Sequence, residues 1–251
     1  MIMCDIDNVL YGALALDVTG EADSIGEAYR AKTLTFEADV PEVGQADVPS
    51  ADEAEIAATV QVMGGADWEL WVRALEARGL LADGFQTVAL SYLGSELTAP
   101  IYRAGTIGAA KRHLEDTARR LDSARTVVAG AAVTQASTAI PSVALYTSIL
   151  RAVLGPAFQS TVAQATALWS QLTGAVPLAL DGEQRIRLDG WELDPDVQSA
   201  VRERWAGITT ASLADGADTR WLHEQVGQLY GWSVPGTDYG RATETSVPWP
   251  V

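Results

Sequence analysis

The sequence is poor in cysteine, in histidine and in long apolar runs. Cys4 is the only cysteine among 251 residues, so a single chain can form neither an internal disulfide nor a thiolate metal cluster, and a reducing cytoplasm fits. Two isolated histidines, His113 and His223, do not make a metal site, and we expect none. No run reaches the roughly 18 apolar residues of a membrane span, so we expect no membrane segment.

The N-terminal segment 1–10 also lacks the basic residues of a secretion signal. It is apolar but is interrupted by Asp5 and Asp7, and we interpret it as a buried strand rather than a signal peptide.

Positive charge is scarce, and lysine most of all. The net charge is -16, which argues against a nucleic-acid partner because phosphate binding requires a basic face. Lys32 and Lys111 are the only lysines, and the remaining basic residues are arginines. An ammonium is a compact point donor, whereas a guanidinium is planar and forked, so arginine cannot replace lysine at every site. Among so many arginines we therefore single out Lys111 as a candidate functional residue.

The order of predicted elements favours an α/β fold with a small parallel sheet and many helices. Buried strands are predicted near Val9 and in FQTVALSYLG and RTVVAGAAVTQAS, and TLTFEADV alternates like a hairpin arm. We expect one α/β domain over 1–251, with an irregular tail over 235–251.

Two helices are predicted between the hairpin arm and the second strand. The first has Ser50 as its cap and ends at the pair Gly64-Gly65. The second is amphipathic, and its apolar residues Trp68, Trp71, Leu75 and Leu80 are expected on or near one face.

The segment SYLGSELTAPIYRAGTIGAAK, from Ser91 to Lys111, carries the residues with chemical potential. Tyr102 and Lys111 are nine residues apart, which is about 2.5 turns of a regular helix and would place them on opposite faces. They converge only if the chain is not helical near Gly105 and a helix begins around Thr106. Gly105 and Gly108 make this break plausible.

If they converge, the ammonium can favour ionisation of the phenol and make it a competent proton donor. Together they can stabilise an enolate oxygen on a thioester. The alternative is a surface tyrosine and a helix lysine with no relation to each other, and the spacing alone leaves both possibilities open.

Several segments resemble the FabV-type trans-2-enoyl-CoA/ACP reductases, which are relatives of the short-chain dehydrogenases with a Tyr-x8-Lys motif. Tyr102 and Lys111 match that motif. VMGGADWELWVRAL, SYLGSELTAPIYRAGTIGAAK, VTQASTAIP, LDGWELDPDVQ and VGQLYGWSVPGTDY all resemble the family in the same order. The resemblance runs from about Val9 to Tyr239, and it implies a truncated Rossmann-like fold.

The resemblance also implies roles for individual residues. Tyr102 matches the catalytic proton donor, and Lys111 matches the lysine that holds the nicotinamide ribose. Tyr92 matches a tyrosine that contacts the acyl substrate. The contacts to the nicotinamide end of the cofactor fall on Ala132, Val133 and Thr134.

The family's glycine-rich nucleotide-binding turn has no counterpart in this sequence. No G-x-G-x-x-G follows a strand, and the chain begins at what resembles the fifth strand of the family fold. Ala13 and Leu14 lie where the family has a cofactor-contacting loop, but YGALALD stands there in place of a sequence like YSLASP. We therefore expect an incomplete NADH site, and a second copy or another protein that covers the sheet edge near Val9.

Three functions remain open. The first is an oxidoreductase of fatty acid or polyketide biosynthesis that acts on an acyl-CoA or acyl carrier protein substrate and needs a partner for NADH. The second is a cofactor-independent double-bond isomerase, for which Glu96 is a nearby acid but no base is identified. The third is a non-catalytic subunit of a biosynthetic complex. We favour the reductase because the nicotinamide-side segment VTQAS is retained.

Overall fold

A parallel sheet forms the centre of the molecule in the computed structural model, which describes residues 2–3, 22–37 and 40–242. Four strands pair in the order β1-β4-β5-β6, and all three pairings are parallel. A separate antiparallel hairpin is formed by β2 and β3. The strands are β1 (Ile2–Met3), β2 (Tyr29–Glu37), β3 (Val40–Val48), β4 (Thr87–Ser91), β5 (Ala124–Val128) and β6 (Ile186–Arg187).

Helices occupy about half of the remaining described chain. They are α1 (Glu53–Met63), α2 (Ala66–Glu76), α3 (Ala99–Tyr102), α4 (Thr106–Arg120), α5 (Val143–Leu154), α6 (Thr161–Leu172), α7 (Pro195–Gly207), α8 (Leu213–Gly216) and α9 (Thr219–Leu229). Short 3-10 turns lie at Gln135–Thr138, Gly155–Ala157 and Thr210–Ser212. The predicted α/β class, with a small parallel sheet and many helices, is confirmed. No helix in the described ranges is long and apolar enough to cross a membrane.

The predictions for the two ends of the chain have different outcomes. Ile2 and Met3 pair in parallel with Thr87 and Val88, so the first residues of the chain are part of the sheet. The strand predicted near Val9 lies outside the described residues. The described part of the C-terminal segment, residues 235–242, contains turns and no helix or strand. The division into a single domain stays a prediction.

The cap of α1 is Asp52, so the prediction of Ser50 was wrong. The Asp52 carboxylate accepts from the amides of Ala54 and Glu55, and the Glu55 side chain accepts from the Asp52 amide, which is a complete capping box. Ser50 forms a bridge with Ser24 instead. Ser50 also has an acid three residues later, Glu53, but its backbone pairs with Ser24 and its hydroxyl donates to the carbonyl of Gly26, so it is engaged before the helix begins.

Helix α2 buries a narrower face than its composition predicted. Trp68 and Val72 are buried, and the Trp68 indole donates to the Thr87 hydroxyl at 2.9 Å, which ties the helix to β4. Trp71 and Leu80 are 63% and 65% exposed, so the predicted shared face was wrong for these two residues, and Leu80 lies beyond the end of α2. Trp68 and Val72 are four residues apart and form the buried face, whereas Trp71 lies on the other side of Trp68, about 100° around the helix from Val72.

The hairpin is attached to the helices through Lys32. The Lys32 ammonium donates to the carbonyl of Trp205 at 2.6 Å and to that of Ile208 at 3.4 Å, at the C-terminal end of α7. Carbonyls at a helix end have no partner within the helix and favour a cation. One of the two lysines of the chain therefore caps a helix.

The predicted break between Tyr102 and Lys111 is present. Helix α3 ends at Tyr102, Gly105 is extended, and α4 begins at Thr106. Gly108 lies so close to the preceding loop that a Cβ built on it would be 2.3 Å from the carbonyl oxygen of Arg103. The absence of a side chain at Gly108 therefore allows the loop to fold back on the first turn of α4.

We predict that Gly108→Ala destabilises the fold. The added methyl group would force the Arg103 carbonyl away, and overpacking of this kind costs about 1–3 kcal/mol of the free energy of unfolding. Urea denaturation measures the loss. Gly182→Ala is the matched control because a Cβ there meets no atom within 4 Å. Equal stability of the two variants would contradict the importance of this contact.

Candidate active site

The candidate site lies at the carboxyl ends of β4 and β5, which meet at one edge of the sheet. Ser91 is in register with Val128, and the amide of Ala129 donates to the carbonyl of Ser91 at 2.9 Å. Tyr92 follows β4 directly, and residues 129–134 follow β5. Because ligands of open parallel sheets bind beyond the carboxyl ends of the strands, this edge is the expected location of a site.

The structure brings Tyr92, Tyr102 and Lys111 together. The rings of Tyr92 and Tyr102 pack edge to face, with centroids 4.8 Å apart and an interplanar angle of 89°. The Lys111 nitrogen lies 5.6 Å from the centroid of the Tyr102 ring and 3.4 Å from the hydroxyl of Ser91. The arrangement required by the enolate hypothesis is therefore present, and the alternative of two unrelated residues does not hold.

These residues line a cavity of about 490 Å³ between the sheet edge, α4, α5 and α6. Its walls are mainly apolar, with Leu90, Ile107 and Leu168 among them. Within the part of the chain that the structure describes, Lys111 is the only cationic or acidic side chain among the lining residues. A cation in apolar surroundings interacts strongly with a developing negative oxygen, because little water screens it.

A buried carboxylate stands behind the cavity wall. Glu192 is fully buried; its Oε1 accepts from the phenols of Tyr92 at 2.6 Å and Tyr146 at 2.8 Å, and its Oε2 accepts from the amide of Ala131 at 2.5 Å. This residue was not predicted as a site residue, although its segment LDGWELDPDVQ is one of those that resemble the family. The available signal was an acid flanked by apolar Trp191 and Leu193.

The surroundings of this carboxylate shift three pKa values upward. Burial, reinforced by the negative charge of Glu192, raises the pKa of Tyr92 well above the usual phenol value. The same two causes raise the pKa of Tyr146. Burial also raises the pKa of Glu192 itself, although its hydrogen bonds to Tyr92, Tyr146 and Ala131 oppose that shift.

The loop after β5 contains the residues predicted to contact the nicotinamide. Ala132 and Thr134 line the main cavity, and Ala132 and Val133 line a second cavity of about 330 Å³. The Thr134 amide donates to the Ser137 hydroxyl at 2.9 Å, within the cap of the following 3-10 turn. The amide of Gly130 donates to the buried side chain of Gln164 at 2.8 Å. The backbone of the loop is thus held by internal hydrogen bonds.

Other residues considered from the sequence lie elsewhere. Glu96 is exposed, lies 3.8 Å from Arg202 and does not line the cavity. His113 accepts from the amide of Gly65 at 3.0 Å and joins α4 to the start of α2. Among the described residues there is no cluster of three or more metal-ligating side chains. Ala13 and Leu14 lie outside the described residues.

Two family models match the chain. The model described as trans-2-enoyl-CoA reductase catalytic region matches residues 18–173, and the model described as enoyl reductase FAD binding domain matches residues 180–242. The first covers more than half of the chain, including Tyr92, Tyr102 and Lys111.

Curated proteins and solved structures agree with these models. An enoyl-[acyl-carrier-protein] reductase [NADH] of Streptomyces avermitilis is 52% identical over 90% of this chain and 60% of its own length. A trans-2-enoyl-CoA reductase of Euglena gracilis is 39% identical over 90% of this chain and 43% of its own length. The structure of the Treponema denticola trans-2-enoyl-CoA reductase in complex with NAD superimposes with a TM-score of 0.82 at 35% identity, over 88% of this chain and 58% of that one.

The chain therefore spans between about two fifths and three fifths of the length of these relatives. The matched part contains the sheet edge with Tyr102 and Lys111.

The described residues of segment 180–242 contribute little to the main cavity and more to the second one. Leu188 lines the main cavity, whereas Trp221, Gln225, Gln228 and Leu229 line the second. Two of its buried polar side chains are bonded internally, since Glu192 accepts three hydrogen bonds and Gln198 donates to Tyr146 and to the carbonyl of Glu192, whereas the buried indole nitrogen of Trp191 has no hydrogen-bond partner among the described residues. This segment supports the cavity wall from behind.

We predict that Tyr92→Phe reduces the decrease in the free energy of unfolding that the protein shows at alkaline pH. Because the folded pKa of Tyr92 is raised, the unfolded phenol loses its proton first as the pH passes about 10, and the folded state loses stability from that pH upward. Removing the hydroxyl removes about 1 kcal/mol of this loss between pH 10 and pH 11. Urea unfolding at pH 8, 10 and 11 measures it, with each protein referred to its own value at pH 8. Parallel curves would contradict the raised pKa.

Proposed function

This chain belongs to the trans-2-enoyl-CoA reductase family, and on that premise we propose that it provides the substrate-binding and proton-donating part of an enoyl-thioester reductase. The observation that carries the proposal is the convergence of Tyr102, Lys111 and Tyr92 on one apolar cavity. The substrate is a trans-2-enoyl group on coenzyme A or on an acyl carrier protein, the two carriers that appear in the names of the relatives.

The side chains divide the work by their chemistry. The thioester oxygen gains negative charge when the double bond is reduced, and a cation in an apolar cavity lowers the energy of that charge. Lys111 supplies the cation, and the adjacent Tyr102 supplies the proton that completes the saturated acyl group. Tyr92 packs against the Tyr102 ring and holds it in place beside the acyl chain.

The residues around the cavity fit the nicotinamide end of NADH. Lys111 would donate to the ribose hydroxyls. The loop after β5 offers the small residues Gly130, Ala131 and Ala132, whose backbone a planar ring can approach closely. When bound, NADH supplies the hydride for the β-carbon of the substrate. Every step assigned to the protein, from binding to orientation and proton donation, is carried by its own side chains.

The pyrophosphate and adenosine of the cofactor need further contacts. The sequence contains no G-x-G-x-x-G turn, which is the feature that normally places a pyrophosphate at a helix N-terminus. We propose that a nucleotide-binding segment outside these 251 residues completes the site along the β1 edge of the sheet. Such an edge presents backbone groups ready for pairing.

We predict weak binding of NADH by the chain alone. Affinity falls when most contacts to a ligand are missing, and the nicotinamide end contributes only part of them. Fluorescence titration of NADH measures the dissociation constant, which we expect in the millimolar range, about 4 kcal/mol of binding free energy. Lys111→Met should weaken it further, and Arg78→Met, in the exposed turn after α2, should not. Micromolar binding by the chain alone would contradict the proposed second segment.

We predict that Tyr102→Phe lowers enoyl reduction by about 100-fold or more, which is the usual contribution of a positioned acid. The assay follows NADH oxidation with a trans-2-enoyl-CoA. It is run on the chain alone and with the unmatched segment of the Streptomyces avermitilis relative added as a separate polypeptide. Tyr230→Phe, at an exposed position, is the matched control.

Two results would contradict the proposed function. One is the absence of reduction both with and without the added segment. The other is conversion of the enoyl thioester without NADH, which would point to the isomerase.

A further inference from the structure

Glu192 takes no direct part in the proposed reaction, although it is the most deeply buried acid near the cavity. It lies on the segment after β6, with no part of its side chain exposed. An ionised carboxylate in the interior is costly unless hydrogen bonds compensate for the lost water. Three donors reach it, namely the Tyr92 phenol, the Tyr146 phenol and the Ala131 amide. This number of donors matches a carboxylate, which only accepts.

The three donors come from different elements that meet at the site. Tyr92 follows β4 and faces the cavity, where it packs edge to face on Tyr102. Ala131 lies in the loop after β5, on the side proposed for the nicotinamide. Tyr146 lies on α5. A single carboxylate therefore joins the wall that faces the substrate to the loop that faces the cofactor.

The hydrogen-bond pattern also fixes where the phenol protons point. A phenol has one proton, and Tyr92 uses it toward Glu192, away from the cavity. Tyr146 follows the same pattern. Its proton goes to Glu192, and its oxygen accepts from the amide of Gln198 at 3.0 Å. While these bonds persist, Tyr92 presents its ring and a lone pair to the cavity, and it has no proton to give to a thioester.

Other charges near Glu192 do not replace it. Asp189, three residues earlier, is buried and faces it, but the Asp189 carboxylate is paired with the Arg187 guanidinium at 2.6 Å. Among the charges that raise the pKa of Tyr92, that of Glu192 has the largest effect, ahead of those of Tyr146 and Tyr102.

We propose that Glu192 is the positioning residue of the site. It holds Tyr92 as a neutral phenol with its proton turned away from the substrate and fixes the amide of Ala131, so that Tyr102 is the phenol that donates the proton. The inference rests on the proposed reductase function and deepens it, because it assigns different roles to two tyrosines in contact.

Glu192→Gln tests this assignment with little change of shape. The amide keeps one oxygen acceptor but brings a donor in place of the second oxygen, so it cannot accept from both phenols and the backbone amide at once. In the reductase assay we expect kcat to fall by about 10- to 100-fold, because the wall against which Tyr102 packs is no longer held. KM should change less. Glu96→Gln, which removes an exposed acid from the same loop as Tyr92, should leave both unchanged.

The double variant separates positioning from simple stability. If Glu192 acts through Tyr92, the combined loss in Glu192→Gln/Tyr92→Phe is smaller than the product of the two single losses. Multiplied losses, or a fall in thermal stability without a fall in kcat, would overturn the proposal.

A spectroscopic measurement needs no activity and distinguishes this inference from the proposed function. In the chain labelled with ¹³C at the tyrosine Cζ, we expect Glu192→Gln to lower the pH at which the Tyr92 signal titrates, with Tyr92→Phe providing the assignment. An unchanged titration would overturn the role of Glu192 even if reduction occurs. Absence of reduction with a shifted titration would overturn the proposed reaction alone.

If Glu192→Gln does not fold, a measurement on the unmodified chain still tests the proposal. The ¹³Cδ signal of Glu192 at pH 8 should be that of a carboxylate. A protonated Glu192 at that pH would donate to one of the two phenols, which reverses that hydrogen bond, and would overturn the proposal.

Discussion

The candidate site depends on one close backbone contact, in which Gly108 in the first turn of α4 lies against the carbonyl of Arg103. A continuous helix from Tyr102 to Lys111 would place their side chains on opposite faces. The extended Gly105 ends that continuity, and the bare Cα of Gly108 lets the loop fold back. The phenol and the ammonium then reach the same cavity.

A second constraint acts from behind the cavity. In the apolar interior little water screens the positive charge of Lys111. The same interior raises the free energy of an ionised Glu192 unless hydrogen-bond donors surround it. The two phenols that satisfy Glu192 are thereby kept neutral and oriented. Two tyrosines whose rings touch, Tyr92 and Tyr102, are placed in opposite electrostatic surroundings, one beside an anion and one beside a cation. Such pairs separate acid roles in enzyme sites.

The comparisons and the geometry agree on the same part of the chain. The catalytic-region model covers residues 18–173, and the site lies within it apart from Glu192. Glu192 belongs to the segment matched by the second model, and from there it supports the back of the cavity wall. The loop after β5, which is proposed to face the nicotinamide, is held by internal hydrogen bonds, whereas the sequence lacks the glycine-rich turn for the pyrophosphate, so the proposed reaction calls for an additional nucleotide-binding segment.

The sequence by itself determined the features that depend on neighbouring residues. The apolar runs predicted β4 and β5, and the glycines predicted the break before Thr106. Local patterns failed where several neighbours compete, as at the cap of α1 and on the exposed side of α2. Only the tertiary structure decided the pairing of Tyr92 with Glu192, because 100 residues separate them and no local period links them. Parallel strands bring such distant residues to one edge of a sheet, and packing then decides which of them form hydrogen bonds with each other.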